Sequence, residues 1–344
     1  MKRMGRQFSD GPALGSGTAA EPKLAPSGGS AAHEVASMGA RGLIVANYGR
    51  HFLVETSDGK RLICHSRGKK SQGVVGDRVL WKASEDEGTI EKIEARRNLF
   101  YRQDEIRTKS FAANLDQVLI LVAAEPEFSS SQLSRALIAA EAEHITPVIA
   151  LNKSDLVEPF ERAWAWLRPY RHMRYGVLPL SLKRSPDVDR AELLKLLRGK
   201  TTLVLGPSGA GKSTLINLLA PGALAQTGEI SLALSAGKHT TTSTTWYWVD
   251  PEKTTALIDS PGFQEFGLNH IDPAQLAAYM PDIRPHVVNC KFYNCTHLHE
   301  PGCGVIAAVS TAETEETAGG PHGISANRYK IYSELFAELS QKRY

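Results

Sequence analysis

Several features that would mark a specialised class of protein are missing from this sequence. No apolar run reaches the length of a membrane span. The net charge of +3 on 344 residues is too small to indicate a nucleic-acid partner by itself. There are only 4 cysteines, and three of them lie in one short segment, which favours a metal site in a reducing compartment over a disulfide framework. The chain length predicts about two or three domains.

Residues 1–40 are rich in Gly, Ala, Ser and Pro and contain no continuous apolar stretch. Such a segment cannot bury enough apolar surface to fold, so we predict a disordered tail. Without an apolar stretch it does not resemble a secretory signal. Asp10, Glu21 and Glu34 interrupt its basic residues, which argues against an organelle transit peptide without excluding one.

Short alternating strand patterns, separated by turn signals such as Ser57–Gly59, occupy residues 42–98. About five strands at this spacing predict a small OB-like β-barrel, assigned to residues 41–105. Basic residues flank its turns, and they fit either a surface that contacts nucleic acid or an ordinary solvated rim. These residues are Lys60, Arg61, Arg67, Lys69, Lys70 and Arg78.

Continuous apolar runs alternate with helical stretches over residues 110–268. Such runs suit parallel strands that are covered on both faces, so the segment predicts a doubly wound α/β domain. We expect Trp246–Asp250 to pair antiparallel with the strand that ends at Asp259. The apolar runs begin at Gln117, Pro147, Gly176, Thr202 and Thr255.

A phosphate-binding loop is predicted at Gly206–Thr214. The segment matches G-x-x-x-x-G-K-S, follows an apolar strand and opens a helical stretch, as this motif requires. Backbone amides would close around phosphate oxygens, Lys212 would reach the outer phosphates, and Ser213 would ligate magnesium. The candidate GTP contacts here are Gly206, Pro207, Ser208, Gly209, Ala210, Gly211, Lys212, Ser213 and Thr214.

A base-reading motif, Asn152-Lys153-Ser154-Asp155, precedes the phosphate loop, which reverses the usual order in GTPases. The Asp155 carboxylate can accept two hydrogen bonds from guanine, whereas adenine lacks the amine that one of them needs. Lys153 would cover the base, and Asn152 would tie this loop to the phosphate loop. The segment Ser181–Lys183 would add a second base contact through a backbone amide. The motif order predicts a circularly permuted GTP-binding domain.

The segment Asp259–Gly262 matches D-x-x-G, the pattern that senses the γ-phosphate. Asp259 would hold a magnesium-bound water, and the Gly262 amide would meet the γ-phosphate. The next residue, Phe263, cannot orient water as a glutamine can, which predicts slow intrinsic hydrolysis or a substitute group. The candidate substitute is His239, beside the switch threonines Thr240, Thr241 and Thr242, one of which would bind magnesium. The alternative for His239 is an idle, exposed histidine.

Cys290, Cys295, His297 and Cys303 form a set suited to tetrahedral zinc. Four protein ligands leave no open position, so the predicted site is structural, and a small segment poor in large apolar residues gains folding energy from such a metal. His286 and His299 are spare candidates for the imidazole ligand, and three unrelated buried cysteines are the alternative. A terminal helix is expected over residues 326–341, and this unit as a whole spans 269–344.

Together these residues resemble the RsgA family, also called YjeQ, of ribosome small-subunit-dependent GTPases. The likeness runs from Arg41 to the C-terminus and includes Gly76–Val79, Ala113–Gln117, the permuted motif order and Cys295–Cys303. The resemblance implies an N-terminal OB-fold β-barrel, a circularly permuted P-loop α/β GTPase domain and a small, α-rich zinc-binding domain. It also implies GTP hydrolysis that is stimulated by the small ribosomal subunit during its late maturation.

The partners implied by the resemblance are GTP and GDP, the small ribosomal subunit and its rRNA. The expected cofactors are one structural zinc and magnesium with GTP, in a cytoplasmic monomer without membrane association. Two other hypotheses stay open: a nucleotide-gated rRNA-binding module with incidental hydrolysis, and a P-loop ATPase. Gly206–Thr214 looks equally like the loops of ABC-transporter ATPases and guanylate kinases. However, Leu234–Lys238 only faintly resembles the ABC signature, and Ser260 stands where such ATPases use Glu.

Overall fold

The computed structural model describes residues 39–67, 73–84, 87–222, 244–260, 263, 266–310 and 323–341. Among the predicted site residues, His239, Thr240, Thr241, Thr242 and Gly262 lie outside these ranges. The predicted tail before residue 39 and the barrel residues Lys69 and Lys70 lie outside them as well.

The N-terminal strands close into the predicted barrel. β1 pairs antiparallel with both β2 and β4, and β3 runs antiparallel to β2 and parallel to β5. Since β4 also pairs with β5, the five strands form the closed Greek-key barrel of an OB-fold. The strands are β1 (Ala40–Tyr48), β2 (His51–Thr56), β3 (Arg61–Ser66), β4 (Arg78–Ala83) and β5 (Gly88–Ile93).

A two-stranded hairpin that the sequence patterns did not predict follows the barrel. It consists of β6 (Leu99–Gln103) and β7 (Thr108–Ala113). The Ala113 amide donates to the Val75 carbonyl at 2.9 Å, so the base of the hairpin is fixed to the barrel. The short, partly polar strands of this hairpin lack the alternation that made the barrel strands recognisable.

The α/β domain contains the predicted parallel sheet, in the order β10-β9-β8-β11-β13. Alternate residues of β8 enter two separate apolar cores, because helices cover both faces of the sheet. β12 (Thr245–Trp248) pairs antiparallel with β13 (Ala256–Asp259), as expected. The other strands are β8 (Gln117–Ala123), β9 (Thr146–Asn152), β10 (Gly176–Pro179) and β11 (Thr201–Leu205). The helices are Ser130–Ala142, Val157–Trp166, Arg168–His172, Pro186–Leu197 and Lys212–Leu219.

The barrel and the α/β domain share one eleven-stranded sheet, since Ala46 of β1 pairs with Thr245 of β12. A buried carboxylate reinforces this junction. Glu55 of β2 accepts hydrogen bonds from Trp248 Nε1 at 2.9 Å and from Lys253 Nζ at 2.7 Å. The barrel therefore holds the β12–β13 hairpin, which leads directly to Asp259.

The C-terminal region is α-rich, as expected, and ends in the helix Ala326–Ser340. Arg328 of this helix is buried and pairs with Asp282 at 2.7 Å and with Ser134 Oγ at 2.6 Å. Because Ser134 belongs to the α/β domain, this arginine fastens the terminal helix to that domain. The shorter helices are the 3-10 helix Pro273–Tyr279 and the α-helices Arg284–Val287 and Gly304–Ala307. Within the described ranges, no helix is long and apolar enough to cross a membrane.

Candidate functional site

The two predicted nucleotide motifs meet at one edge of the parallel sheet. Asn152 ends β9, and Gly206 follows β11, on either side of β8. The buried Asn152 side chain donates from Nδ2 to the Ala210 carbonyl at 2.8 Å and accepts at Oδ1 from the Leu182 amide at 3.2 Å. One side chain thus joins three loops, although the segments lie far apart in the sequence.

The phosphate loop requires glycine at two positions of close approach. Gly206 and Gly211 have φ angles of 158° and 106°. A Cβ at Gly206 would lie 2.1 Å from the Leu121 carbonyl oxygen, and one at Gly211 would lie 2.5 Å from Asn152 Nδ2. Larger residues would push the loop away from β8 and from Asn152, and would distort the phosphate-binding conformation.

Lys212 and Asp259 form a partly desolvated charge pair at the base of this loop. Lys212 Nζ donates to the Gly206 carbonyl at 2.7 Å. Burial lowers the pKa of Lys212, and Asp259 opposes that shift. Burial likewise raises the pKa of Asp259 against the opposing effect of Lys212. Desolvation therefore outweighs the mutual attraction in the protein alone, as expected for groups arranged to meet a charged ligand.

One carboxylate oxygen of Asp259 fits a magnesium site. Asp259 Oδ1 is inaccessible to solvent and has no hydrogen-bond partner among the described residues. Ser213 lies exposed in the first turn of the helix Lys212–Leu219. A carboxylate and a hydroxyl are hard oxygen donors, which magnesium prefers. A cation, or a water that it holds, would also remove the cost of the unpaired carboxylate oxygen.

A cavity of about 490 Å³ lies between the base motif and the phosphate loop, a size suited to a nucleotide. Among the predicted contacts within the described ranges, Ser154, Gly206, Ala210 and Asp259 do not line it. Its walls also include Lys183, from the predicted second base contact, and Leu156, which the sequence motifs did not single out. The predicted contacts that line it are Asn152, Lys153, Asp155, Pro207, Ser208, Gly209, Gly211, Lys212, Ser213 and Thr214.

The Asp155 carboxylate is exposed at the mouth of this cavity and is held by a neighbouring loop. Ser181 Oγ donates to Asp155 Oδ1 at 2.6 Å, and this hydrogen bond lowers the pKa of Asp155. The Ser154 amide donates to the Leu180 carbonyl at 2.9 Å, which joins the two loops a second time. Lys153 adopts a left-handed backbone conformation, with a φ angle of 66°, and its ammonium donates to the Glu125 carbonyl.

The predicted second base contact, Ser181–Lys183, lies beside Asp155. The Ser181 amide donates to Asp189 Oδ2 at 2.6 Å, and the Leu182 amide is taken by Asn152. Of the three residues, Lys183 is the one that lines the cavity.

The second candidate site is the Cys/His cluster, formed by Cys290, Cys295, His297 and Cys303. The ligand atoms of these four residues all lie within 4.8 Å of one another. Cys290 Sγ is 3.8 Å from Cys303 Sγ and 3.4 Å from His297 Nδ1. Thiolates and one imidazole at this spacing surround a point that could hold a metal ion. The spare candidates His286 and His299 are not part of the cluster.

Comparison with known proteins agrees with this geometry. A model of the RsgA GTPase family matches residues 93–269. A small ribosomal subunit biogenesis GTPase RsgA from Variovorax paradoxus is 75% identical over 303 residues, which cover 88% of this chain and 93% of that protein. The equivalent protein from Paraburkholderia phytofirmans is 48% identical over 306 residues, which cover 87% and 93%. The chain belongs to the RsgA GTPase family.

Solved structures of this family share the architecture. YjeQ from Thermotoga maritima superimposes with a TM-score of 0.64 at 29% identity, over 88% of this chain and 99% of that one. YloQ, described as a circularly permuted GTPase, gives a TM-score of 0.63 at 28% identity, over 89% and 97%. The permuted order predicted from the motifs is therefore confirmed, and the chain is a GTP hydrolase of the RsgA type.

Sequence reasoning missed the residues that orient the Cys/His cluster. Glu300 accepts from the Thr296 amide at 2.8 Å and shapes the loop that carries His297. Tyr329 and Tyr332 of the terminal helix donate to the carbonyls of His297 and Thr296 at 2.7 and 2.9 Å. A helical i, i+3 tyrosine pair was a usable signal, but only the fold shows which loop the pair supports.

Proposed function

We propose that this GTPase assists the late maturation of the small ribosomal subunit in the cytoplasm, in contact with its rRNA. Support comes from the relatives, which are small ribosomal subunit biogenesis GTPases, and from the hydrogen bond between Asn152 Nδ2 and the Ala210 carbonyl at 2.8 Å. The relatives carry the ribosomal role, and the hydrogen bond supports the use of GTP, because it joins a guanine-reading motif to a phosphate loop in the permuted order. We further propose that the chain acts as a monomer.

Each proposed nucleotide role follows from one contact. Asp155, held by Ser181 and ionised, would accept the two guanine hydrogen bonds. Lys153 would lie along the base, with its ammonium anchored by Glu125. The phosphate-loop amides and Lys212 would surround the phosphates, and Ser213 with Asp259 would hold magnesium, which neutralises phosphate charge when bound. Gly262, outside the described residues, would meet the γ-phosphate.

The water-activating group is proposed to be His239, also outside the described residues. Phe263 is buried and packs against Phe266, with ring centroids 6.5 Å apart. An apolar side chain in that position cannot orient water, so another group must do so. His239→Ala should keep nucleotide affinity and lose about 10²- to 10⁴-fold of subunit-stimulated turnover. Stimulated turnover close to wild type would assign the role to the ribosome or to a bound ion instead.

We assign residues 41–105 to an OB-fold RNA-contacting domain, 110–268 to the GTPase domain and 269–344 to a zinc-binding domain. Zinc is proposed for the Cys/His cluster because three thiolates and an imidazole are its preferred tetrahedral ligands. Four ligands complete the coordination, so the metal would stabilise the fold and take no part in hydrolysis.

The hypothesis of a nucleotide-gated rRNA-binding module has a specific structural basis. The chain leaving β13 lies against the β6–β7 hairpin: the Gln103 amide donates to the Gly267 carbonyl at 3.1 Å, and the Asn269 amide donates to the Gln103 carbonyl at 2.9 Å. On the other side, Glu55 ties β12–β13 to the barrel. A shift of Asp259 on loss of the γ-phosphate would thus reach both the barrel and the C-terminal unit.

The test compares GTP hydrolysis with and without purified small ribosomal subunits. We expect slow intrinsic turnover and strong stimulation by the subunit; equal rates would contradict the proposed role. Competition by ATP is the second measurement, since equal displacement of GTP by ATP would favour the P-loop ATPase hypothesis. If His239→Ala binds subunits normally and still supports maturation, hydrolysis is incidental and the gated module is the better description.

A further inference from the structure

Outside the nucleotide site and the Cys/His cluster, the barrel carries a second group of metal-ligating side chains. His51 of β2, His65 of β3 and Glu87, directly before β5, have ligand atoms that all lie within 4.8 Å of one another. His65 Nδ1 is 2.8 Å from Glu87 Oε2, and the His51 and His65 ring centroids are 6.0 Å apart. The function proposed above uses none of these three residues.

The strand register explains why the two histidines converge. His51 lies directly opposite His65 in the antiparallel β2–β3 pair, and the next pair is Phe52 opposite Cys64. Side chains alternate between the two faces of a strand. Since Phe52 and Cys64 are fully buried in the barrel, His51 and His65 must lie together on its outer face.

The approach of β5 brings the carboxylate to this pair. Gly88 lies opposite Cys64 in the parallel β3–β5 pair, and a Cβ at Gly88 would be only 2.4 Å from Cys64 Sγ. The strands can therefore come this close because Gly88 has no side chain. The Ser84 amide donates to the Glu87 carbonyl at 2.8 Å, which fixes the backbone from which the carboxylate extends.

We propose that His51, His65 and Glu87 bind a divalent first-row transition-metal ion, of the class of Zn²⁺, Ni²⁺ and Co²⁺, on the outer face of the barrel. Two imidazoles and one carboxylate are a donor set that these ions accept, whereas Mg²⁺ prefers oxygen ligands alone. Three protein ligands leave open coordination positions that face solvent. This distinguishes the site from the Cys/His cluster, whose four ligands leave none.

The test titrates full-length, nucleotide-free protein, with zinc already in the Cys/His cluster, with Co²⁺. Calorimetry and visible absorption follow the binding. We expect one further equivalent of Co²⁺ to bind without the sulfur-to-cobalt charge-transfer absorption that thiolate ligands produce. The bound ion should also raise the unfolding temperature of the protein, because it binds the folded barrel and not the unfolded chain.

Variants assign the binding to these residues. Altering a residue that only supports a metal ligand typically weakens affinity by about 10- to 100-fold, so loss of a ligand in His65→Gln should cost at least roughly 100-fold. Glu87→Gln should weaken binding in the same direction. The matched control is Glu91→Gln on the same strand, whose carboxylate pairs with Arg67 at 2.8 Å and should bind Co²⁺ as wild type does. Unfolding curves without added Co²⁺ verify that each variant is folded.

Three outcomes would overturn the proposal. The first is that the protein takes up no Co²⁺ beyond the Cys/His cluster. The second is that His65→Gln binds Co²⁺ with unchanged affinity. The third is that bound Co²⁺ shows only the absorption produced by thiolate ligands. The last would mean that the ion had replaced zinc in the Cys/His cluster.

Discussion

The nucleotide site and the Cys/His cluster are built in opposite ways. Asn152, Leu182, Ala210 and Asp259 come from four separate segments, and the parallel sheet places them together. The Cys/His cluster comes from one short segment whose loop is held largely by its own hydrogen bonds to Glu300. The first site should therefore survive without its ligand, because the sheet core supports it. The second should depend on its metal, because residues 288–303, which carry its four residues, form no helix or strand.

The largest expected effect tests that dependence on metal. Cys295→Ser should remove stoichiometric zinc and with it a metal contribution of roughly 10 kcal/mol to the stability of the C-terminal unit. Nucleotide affinity should change little, since the apolar core behind the phosphate loop is separate from the core that the C-terminal region joins. Metal analysis of the purified variant and hydrogen exchange at the terminal helix measure the effect. A full complement of zinc in this variant would show that another group is the ligand.

The converse variant is Lys212→Ala. Its zinc content and unfolding temperature should be close to those of the wild-type protein. Loss of the ammonium from the outer phosphates should lower GTP turnover by about 10²- to 10³-fold, as for other single charge-stabilising donors. Turnover of GTP under saturating conditions is the measurement. The matched control is Lys195→Ala, which removes an exposed lysine that pairs with Glu192 at 2.6 Å, and it should behave as wild type. Loss of zinc in Lys212→Ala would show that the two regions are not independent.

The variant Asp155→Asn tests recognition of the base within the nucleotide site. An amide cannot accept both guanine hydrogen bonds, so GTP affinity should fall by roughly 10- to 100-fold. Xanthosine triphosphate should gain affinity, because its ring carbonyl can accept from the new amide. Asp187→Asn, an exposed carboxylate in the first turn of Pro186–Leu197, is the control. Unchanged GTP affinity in Asp155→Asn would remove Asp155 from the base site.

The smallest effect concerns the contact of His270, in the segment between the two regions, with the β6–β7 hairpin. His270 stacks on Tyr101 with centroids 4.3 Å apart, and neither ring nitrogen has a hydrogen-bond partner within the described part of the chain. Burial lowers the pKa of His270 from 6.5 to about 4. As the pH falls, His270 is therefore protonated at a higher pH in the unfolded chain than in the folded protein. The stability contributed by neutral His270 is complete above pH 6.5 and declines as the pH falls towards 4, by about 1–3 kcal/mol.

His270→Phe keeps the stacking on Tyr101 and removes this titration. The variant should lose less stability than wild type between pH 6.5 and pH 4, and the two should differ by a constant amount above pH 7. Denaturant unfolding at a series of pH values measures the difference. Metal release at low pH affects both proteins alike, so it cancels in the comparison. Parallel pH profiles would show that His270 has the same pKa in the folded and the unfolded protein.

Prediction from sequence succeeded where the signal was local. The barrel strands, the parallel strands of the α/β domain and the terminal helix each carry their own periodicity, and all were found in the expected places. The β6–β7 hairpin was missed because Leu99–Gln103 and Thr108–Ala113 show no clear alternation of apolar and polar residues. Its stability comes from contacts with Phe266 and the barrel, which no local pattern records.

The sequence by itself determined the chemistry of this protein: a guanine-reading motif ahead of a phosphate loop, and a set of thiolates and imidazole suited to one metal. Tertiary structure alone decided which groups orient that chemistry. Ser181 holds Asp155, Glu55 ties the barrel to β12–β13, and strand register brings His51 to His65. Motifs are readable because reactive groups recur at fixed spacing along the chain. The residues that orient these motifs cannot be predicted from the sequence, because a hydrogen bond between distant segments depends only on their proximity in the fold.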